Sequence, residues 1–324
     1  MCLPLRDRGH EVTLGGTHLD RGIIESLKSS GRHPTLNVTL PTGVKPQYYE
    51  ALTGDADLIV LGVSSAGVGW AVDRLCEQLK APVPVVMITK GMHPEKDTLT
   101  ALPDHVAREI KRRLGFTLDI AAIGGPCIAG ELAVRRQTGT VIASRREKLA
   151  QSLCAMLETE YYHPRPSSDL IGVEVCAAFK NFFAIAVGWA AGRLESMAAE
   201  NKAFNHNAAA IIFAQAVGEL TTLTHALGGD VSAATGMPGA GDLYVTAMAG
   251  RNSRLGNNLG RGLTYSQIKN GPMKGDTIEG AELGVAVAAS LRAMRLPPLP
   301  LTHALLTALT EDAGLEIPWA EFHR

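Results

Sequence analysis

Between Glu11 and about Tyr162 the chain alternates short apolar runs with helical segments, and this alternation restricts the fold more than any other feature. The runs are EVTLGG, DLIVLGVS, PVVMITKG, LDIAAIGG and GTVIAS. Each is short, apolar and closed by Gly, Ser or Thr, as buried parallel strands tend to be. Segments between them, such as AVDRLCEQLK and PDHVAREIKRRL, carry helical spacing and mixed charge. Strand and helix in alternation predict a doubly wound parallel sheet. After roughly Pro166 the pattern stops. HPRPSSD supplies turn residues, and Ser167, Ser168 or Asp169 can cap the next helix. Beyond it the sequence reads as helical runs broken by Gly-rich turns, with no strand. A length of 324 residues exceeds one typical small core. The expectation is an α/β domain over 1–166 followed by an all-α domain over 167–324.

The first domain starts late. LPLRDRGHEVTL reads as the end of a first helix, a Gly turn and a second strand. A doubly wound nucleotide-binding domain needs a strand and a Gly-rich turn ahead of that helix, because the helix N-terminus holds the pyrophosphate. No G-x-G-x-x-G precedes the second strand, and the glycines of GVSSAGVG follow a later one. The expectation is a domain incomplete at its N-terminus, either truncated or without its phosphate cradle.

Composition narrows the class. Net charge is −1 with no long basic run, which argues against nucleic-acid and membrane-surface binding. The five cysteines are scattered without a C-x-x-C pair, so a disulfide framework and a structural zinc site are not expected, and a reducing cytoplasm is. Lys180 and Asn181 interrupt the best apolar run before it reaches the ~20 residues of a membrane span. MCLPLRDRGHEV lacks the apolar stretch of a signal peptide. A cytoplasmic globular protein is expected.

Within the helical half, VEVCAAFKNFFAIAVGWAAG (173–192) places Lys180 and Asn181 in the middle of an apolar helix. Steps of four and three through Val173, Ala177, Lys180, Ala184 and Val187 follow one face. Cys176, Ala177 and Ala184 beside Lys180 are small, which leaves a hollow next to the amine. Partial desolvation would lower its pKa toward a value suited to proton transfer, unless a carboxylate opposes the shift. The alternative is a lysine that snorkels to the surface.

A second constellation is GMPGAGDLYVTAMAGRNSRLGNNLG (236–260). Gly236, Gly239 and Gly241 allow a tight backbone path, Asp242 opens a helical run, and Thr246 shares its face one turn on. Arg251 and Asn252 after a glycine suit a phosphate, which guanidinium binds bidentately. The plainer alternative makes Asp242 an N-cap and Arg251 a surface residue. ITKG sets Lys90 past one strand, and IGGPCIAGE sets Gly125, Pro126 and Cys127 past another, where ligands of open α/β sheets bind. HPRP and FNHN show no metal-ligand spacing, so no metal is expected.

Together these pieces resemble the NAD(P)-dependent glycerol-3-phosphate dehydrogenases. The resemblance runs in order through ITKG, GGPCIAGE, GVEVCAAFKN, GDLYVTAMAGRN and TIEG (277–280). It implies an α/β Rossmann-like doubly wound sheet, here N-terminally truncated, followed by an all-α substrate domain. It also implies a homodimer that supplies glycerophosphate for lipid metabolism. Lys180 matches the proton-transfer lysine, and Asp242 the carboxylate that would keep it charged. Lys90 matches a lysine that contacts substrate and cofactor. Gly125, Cys127, Asn181, Thr246, Arg251 and Asn252 match substrate contacts, the last three around the phosphate. Ala129, Arg251, Thr277 and Glu279 match cofactor contacts. Cys127 stands where Ser or Thr is commoner.

The implied reaction moves hydride between nicotinamide and C2 of dihydroxyacetone phosphate while Lys180 exchanges the proton. The cofactor is NAD or NADP. LGGTHLD has no carboxylate directly after the second strand to hold the ribose hydroxyls, which favours NADP, with Thr17, His18 or Arg21 near its extra phosphate. The competing expectations are a related hydroxy-acid dehydrogenase and a non-catalytic homologue without cofactor.

Overall fold

The computed structural model describes residues 1–196 and 205–322. They form two compact units, 1–88 with 106–168, and 89–105 with 169–324. Up to residue 88 the elements are α1 (Cys2–Asp7), β1 (Val12–Gly16), α2 (Arg21–Ser30), β2 (Arg32–His33), β3 (Val38–Thr39), β4 (Val44–Tyr48), β5 (Ile59–Leu61), α3 (Val68–Gln78) and β6 (Val85–Met87). A short hairpin, β7 (Met92–Pro94) and β8 (Leu99–Ala101), leads into α4 (Leu102–Leu114). Then come β9 (Ile120–Gly124), α5 (Ala129–Ala133), β10 (Thr138–Ser144), α6 (Glu147–Leu157) and β11 (Tyr162–Ser167).

All five expected strands form. Three of them, β5, β6 and β9, pair in parallel in a sheet ordered β11-β10-β9-β6-β5, with β5 at its edge. β10 departs from the all-parallel expectation: it runs antiparallel to β9, and β11 then runs parallel to β10. β1 pairs in parallel with β4 in a separate two-stranded sheet. The sequence reading misses β4 and β11 because VKPQY and YHPRPS carry prolines. Proline lacks the N–H that a central strand needs on both sides. Each of these strands pairs on one side only, so the missing donor is tolerated. The core of this unit sets Ile142, Val86 and Ala121 of the sheet against Leu153 and Leu157 of α6.

The second unit is built around α7 (Leu170–Ser196), with α8 (His206–Ala226), α9 (Ser232–Thr235), a π-helical turn at Met237–Gly241, α10 (Asp242–Met248), α11 (Arg251–Gly260), α12 (Tyr265–Asn270), α13 (Glu279–Ala293) and α14 (Pro300–Thr310). Of the three capping candidates Asp169 does the work, its Oδ1 accepting from the Gly172 N–H at 2.9 Å. α7 is apolar all round, which marks a helix enclosed by others. Its stretch Leu170–Arg193 is long and apolar enough to cross a membrane by length and composition, so Lys180 and Asn181 do not shorten it as the sequence reading supposed. What assigns it to the core is burial, 89% of that window lying inside the protein. Phe182 stands edge-on to Phe179 and to Phe183, the centroids 6.1 and 5.4 Å apart. The β7–β8 hairpin lies within the 1–166 range, yet Met92, Leu99 and Ala101 bury in this helical core.

One buried acid holds the end of the bundle. Glu219 on α8 accepts from the backbone N–H groups of Leu301 and Thr302 at 2.7 Å each, and from the Thr302 hydroxyl at 2.6 Å. It thus supplies the partners that the first turn of α14 lacks within its own helix. Glu219→Ala leaves those donors buried and unmatched, and is expected to cost about 2–4 kcal/mol. Urea unfolding measures this, and Glu219→Gln, which keeps one acceptor, should lose less.

Candidate active site

The site in the second unit is set by how closely α7 and α11 approach. A Cβ on Gly256 would lie 1.8 Å from the Ile185 carbonyl oxygen, and one on Gly260 2.2 Å from that of Trp189. In return, a Cβ on Gly192 would lie 1.8 Å from the Asn257 carbonyl oxygen. Glycines four apart on each helix therefore let the two backbones touch, and Asn252 at the start of α11 reaches Asn181 on α7. A Cβ on Gly280 would sit 2.3 Å from the Asn181 carbonyl oxygen, so the start of α13 closes on the same spot. The π turn at 237–241, a feature often found at functional sites, delivers Asp242 to the first position of α10. Gly239 within it has the Ala234 carbonyl oxygen 2.1 Å from where a Cβ would be.

These elements bring Lys180, Asp242, Lys90 and Thr246 together. Lys180 Nζ donates to Asp242 Oδ1 and to Thr246 Oγ1, both at 2.7 Å. Lys90 Nζ donates to Asp242 Oδ2 at 3.1 Å. One carboxylate thus holds two ammonium groups. Lys180 does not snorkel: its side chain is 7% exposed and that of Asp242 is 4% exposed, whereas Lys90 keeps 23%. Burial, and then the charge of Lys90, push the Lys180 pKa down to about 8, and Asp242 opposes both without cancelling them. The offset by Asp242 that the resemblance implies is therefore partial, because Lys90 adds a second cation. For Lys90 burial pulls the pKa down, but Asp242 and then Glu279 together more than reverse it and leave it raised.

A hydrogen-bonded chain runs beside this cluster. Asn252 Nδ2 donates to Asn181 Oδ1 at 3.1 Å, Asn181 Nδ2 donates to Glu279 Oε2 at 3.1 Å, and Gly280 N donates to Asn252 Oδ1 at 2.9 Å. Arg251 is exposed, with its guanidinium 3.9 Å from Glu279. Thr277 is exposed two residues before Glu279. Lys90, Lys180, Asn181, Asp242, Thr246, Arg251, Asn252, Thr277 and Glu279 therefore all belong to the second unit.

Gly125, Cys127 and Ala129 lie in the first unit. Gly125 is buried just past β9 with φ 123°, a conformation that favours glycine. Cys127 is half-buried, and Ala129 is exposed at the start of α5. Since β5, β6 and β9 are parallel, their carboxyl ends share one edge of the sheet. Ligands of open α/β sheets bind outside that edge. Thr17, past β1, donates from its N–H and its hydroxyl to Asp20 Oδ2 at 2.9 and 2.6 Å. Arg21 pairs with Glu50 at 3.0 Å, and His18 stands edge-on to Trp70.

Residues 2–150 match the model of the NAD-dependent glycerol-3-phosphate dehydrogenase N-terminus, and residues 169–317 that of its C-terminus. The NADP(+)-dependent glycerol-3-phosphate dehydrogenase of Archaeoglobus fulgidus is 34% identical over 273 residues, 82% of this chain and 78% of the relative. The chain belongs to the NAD(P)-dependent glycerol-3-phosphate dehydrogenase family. The enzyme of that family from Bifidobacterium longum subsp. infantis is 30% identical over 95% of this chain and 88% of its own. The crystal structure of glycerol-3-phosphate dehydrogenase from Coxiella burnetii superposes with a TM-score of 0.80 at 25% identity, covering 97% of this chain and 91% of that one. The family fold of a Rossmann-like domain followed by a helical one is the fold found here.

Within this family site the sequence reading names every member of the lysine–aspartate–lysine cluster. It gives no role to Glu174, a fully buried carboxyl one and a half turns before Lys180. Its signal was present in GVEVCAAFKN: an acid with apolar neighbours on both sides.

Proposed function

We propose that this chain interconverts dihydroxyacetone phosphate and sn-glycerol 3-phosphate with NAD or NADP as the redox partner. The observation that carries this reading is the buried Asp242 carboxylate shared by Lys180 and Lys90, with the Lys180 pKa at about 8. The reduced nicotinamide, when bound, supplies the hydride that C2 receives. Lys180 gives its proton to the C2 oxygen, so the carbonyl becomes a hydroxyl and Lys180 becomes a neutral amine. In the oxidative direction neutral Lys180 takes that proton back. Lys90 stabilises negative charge on the same oxygen, an electrostatic effect strengthened by exclusion of water. Asp242 holds both amines in place, and Thr246 fixes the Lys180 ammonium from a second direction. Arg251 and Asn252 take the substrate phosphate, and Asn181 positions Asn252. Ala129, Arg251, Thr277 and Glu279 are assigned to the dinucleotide by the family resemblance alone.

NADP is the preferred partner in this reading. Asp20, a carboxylate past the end of β1, has its Oδ2 engaged by Thr17, which weakens its hold on the ribose hydroxyls. The name of the Archaeoglobus relative agrees with this preference. The same reading makes the protein a cytoplasmic homodimer feeding lipid synthesis. The test is steady-state reduction of dihydroxyacetone phosphate against 2-keto acids, with each cofactor. The expected result is turnover of the triose phosphate alone, with kcat/KM about tenfold higher for NADPH than NADH, a difference of about 1.4 kcal/mol. Turnover of 2-keto acids in its place would transfer the protein to the hydroxy-acid enzymes.

A further inference from the structure

Glu174 is fully buried on α7, and among the described residues neither of its carboxyl oxygens has a hydrogen-bond partner. A carboxylate there would lose its hydration with nothing in return, so the group keeps its proton. Burial pushes its pKa up to about 8, with the Lys90 ammonium pulling it down and Asp104 adding to the rise. Both of those charges come from the 89–105 segment. No charged group of α8, α10, α11 or α13 acts on it among the described residues. Val173, Val175 and Cys176 around it are buried and close to apolar, so packing alone would favour an apolar side chain.

We propose that Glu174 is a positioning residue of the active site, an uncharged acid buried on the helix that carries Lys180, which lets the cluster receive a phosphorylated anion together with a proton. The proposal rests on the function argued above. With Glu174 uncharged, Lys90, Lys180 and Asp242 leave one net positive charge to meet the substrate phosphate. Its ionisation cancels that charge. Phosphate binding in turn disfavours the ionised form, so anion and proton enter together.

The experiment measures KM for dihydroxyacetone phosphate, kcat and Tm between about pH 6 and 9 for the wild type, Glu174→Gln and Glu174→Met. Two replacements guard against failure of either to fold. Between about pH 7 and pH 9 the wild-type KM should rise about tenfold more than that of either variant, since a group of pKa about 8 is then mostly ionised. The kcat limb set by Lys180 should remain in all three. The Tm difference gives a readout without substrate. The folded-state pKa of Glu174 is raised, so its contribution is full below the unfolded value and is lost as pH rises through about 8. The variants should therefore gain Tm over the wild type as pH rises. KM profiles that superimpose in all three proteins overturn the proposal, because a purely structural role leaves the slope unchanged. Failure of the wild type to reduce dihydroxyacetone phosphate would instead sink the function reading. Calorimetric titration with that compound in two buffers of different ionisation enthalpy then decides. Smaller proton uptake in the variants upholds the role of Glu174, and equal uptake overturns it.

Discussion

Lys180→Ala is expected to lower kcat for dihydroxyacetone phosphate reduction by about 10²–10⁴-fold, the range of a positioned general acid. KM should move far less, because Arg251, Asn252 and Lys90 remain to hold the phosphate and the carbonyl oxygen. Equal losses in binding and turnover would contradict the assignment. The truncation also leaves a hollow lined by Asp242 and Thr246, the two partners of the lost ammonium. A small alkylammonium added to the assay should enter it and restore part of the rate. The wild-type pH profile carries a further signature. Lys180 has its pKa at about 8, so the ammonium needed for reduction is present below that pH and lost above it. The neutral amine needed for oxidation appears over the same interval. The reductive kcat should therefore fall, and the oxidative kcat rise, through a common midpoint near pH 8, and Lys180→Ala should abolish both limbs. Limbs that rise or fall together in the two directions would exclude Lys180 as the proton carrier.

That profile depends on a charge no single motif displays. GVEVCAAFKN and GDLYVTAMAGRN each announce an unusual polar residue, since an amine inside an apolar helix and an acid after a glycine run conflict with packing alone. Local rules therefore reach Lys180 and Asp242. They do not reach the balance between them, because Lys90 arrives from a loop past a strand, 152 residues before Asp242, and adds the repulsion that depresses Lys180. The hairpin after Lys90 shows the same limit: HP and LTA carry little periodicity, and only their burial among helices assigns them to the second unit. β4 and β11 were hidden for a different reason. Their prolines speak against a strand until one knows that each has a neighbour on one side only. The strands β6 and β9 were legible because burial on both faces demands continuous apolar runs.

Glycines in α7 and α11 read as helix-weakening residues, each worth about 1 kcal/mol against alanine. The structure reverses their meaning, and two substitutions of the same kind separate the two cases. Gly218 lies exposed on α8, and a Cβ there meets nothing within 4 Å. Gly218→Ala is expected to stabilise the protein by about 0.5–1 kcal/mol through helix propensity. Gly256→Ala would put a Cβ 1.8 Å from the Ile185 carbonyl oxygen and 2.9 Å from the Trp189 backbone nitrogen. Neither is a side-chain atom that can swing aside, so α11 must move off α7 as a unit. The expected cost is about 3 kcal/mol or more, at the upper end of overpacking. Because α11 begins with Arg251 and Asn252, the same movement breaks the Asn252–Asn181 hydrogen bond and displaces the phosphate contacts. A misplacement near 1 Å carries about a 10²-fold loss of kcat/KM even in molecules that remain folded. Urea unfolding and steady-state kinetics on both variants test this. A Gly256→Ala protein as stable and as active as Gly218→Ala would show that backbone contact between α7 and α11 does not set the site.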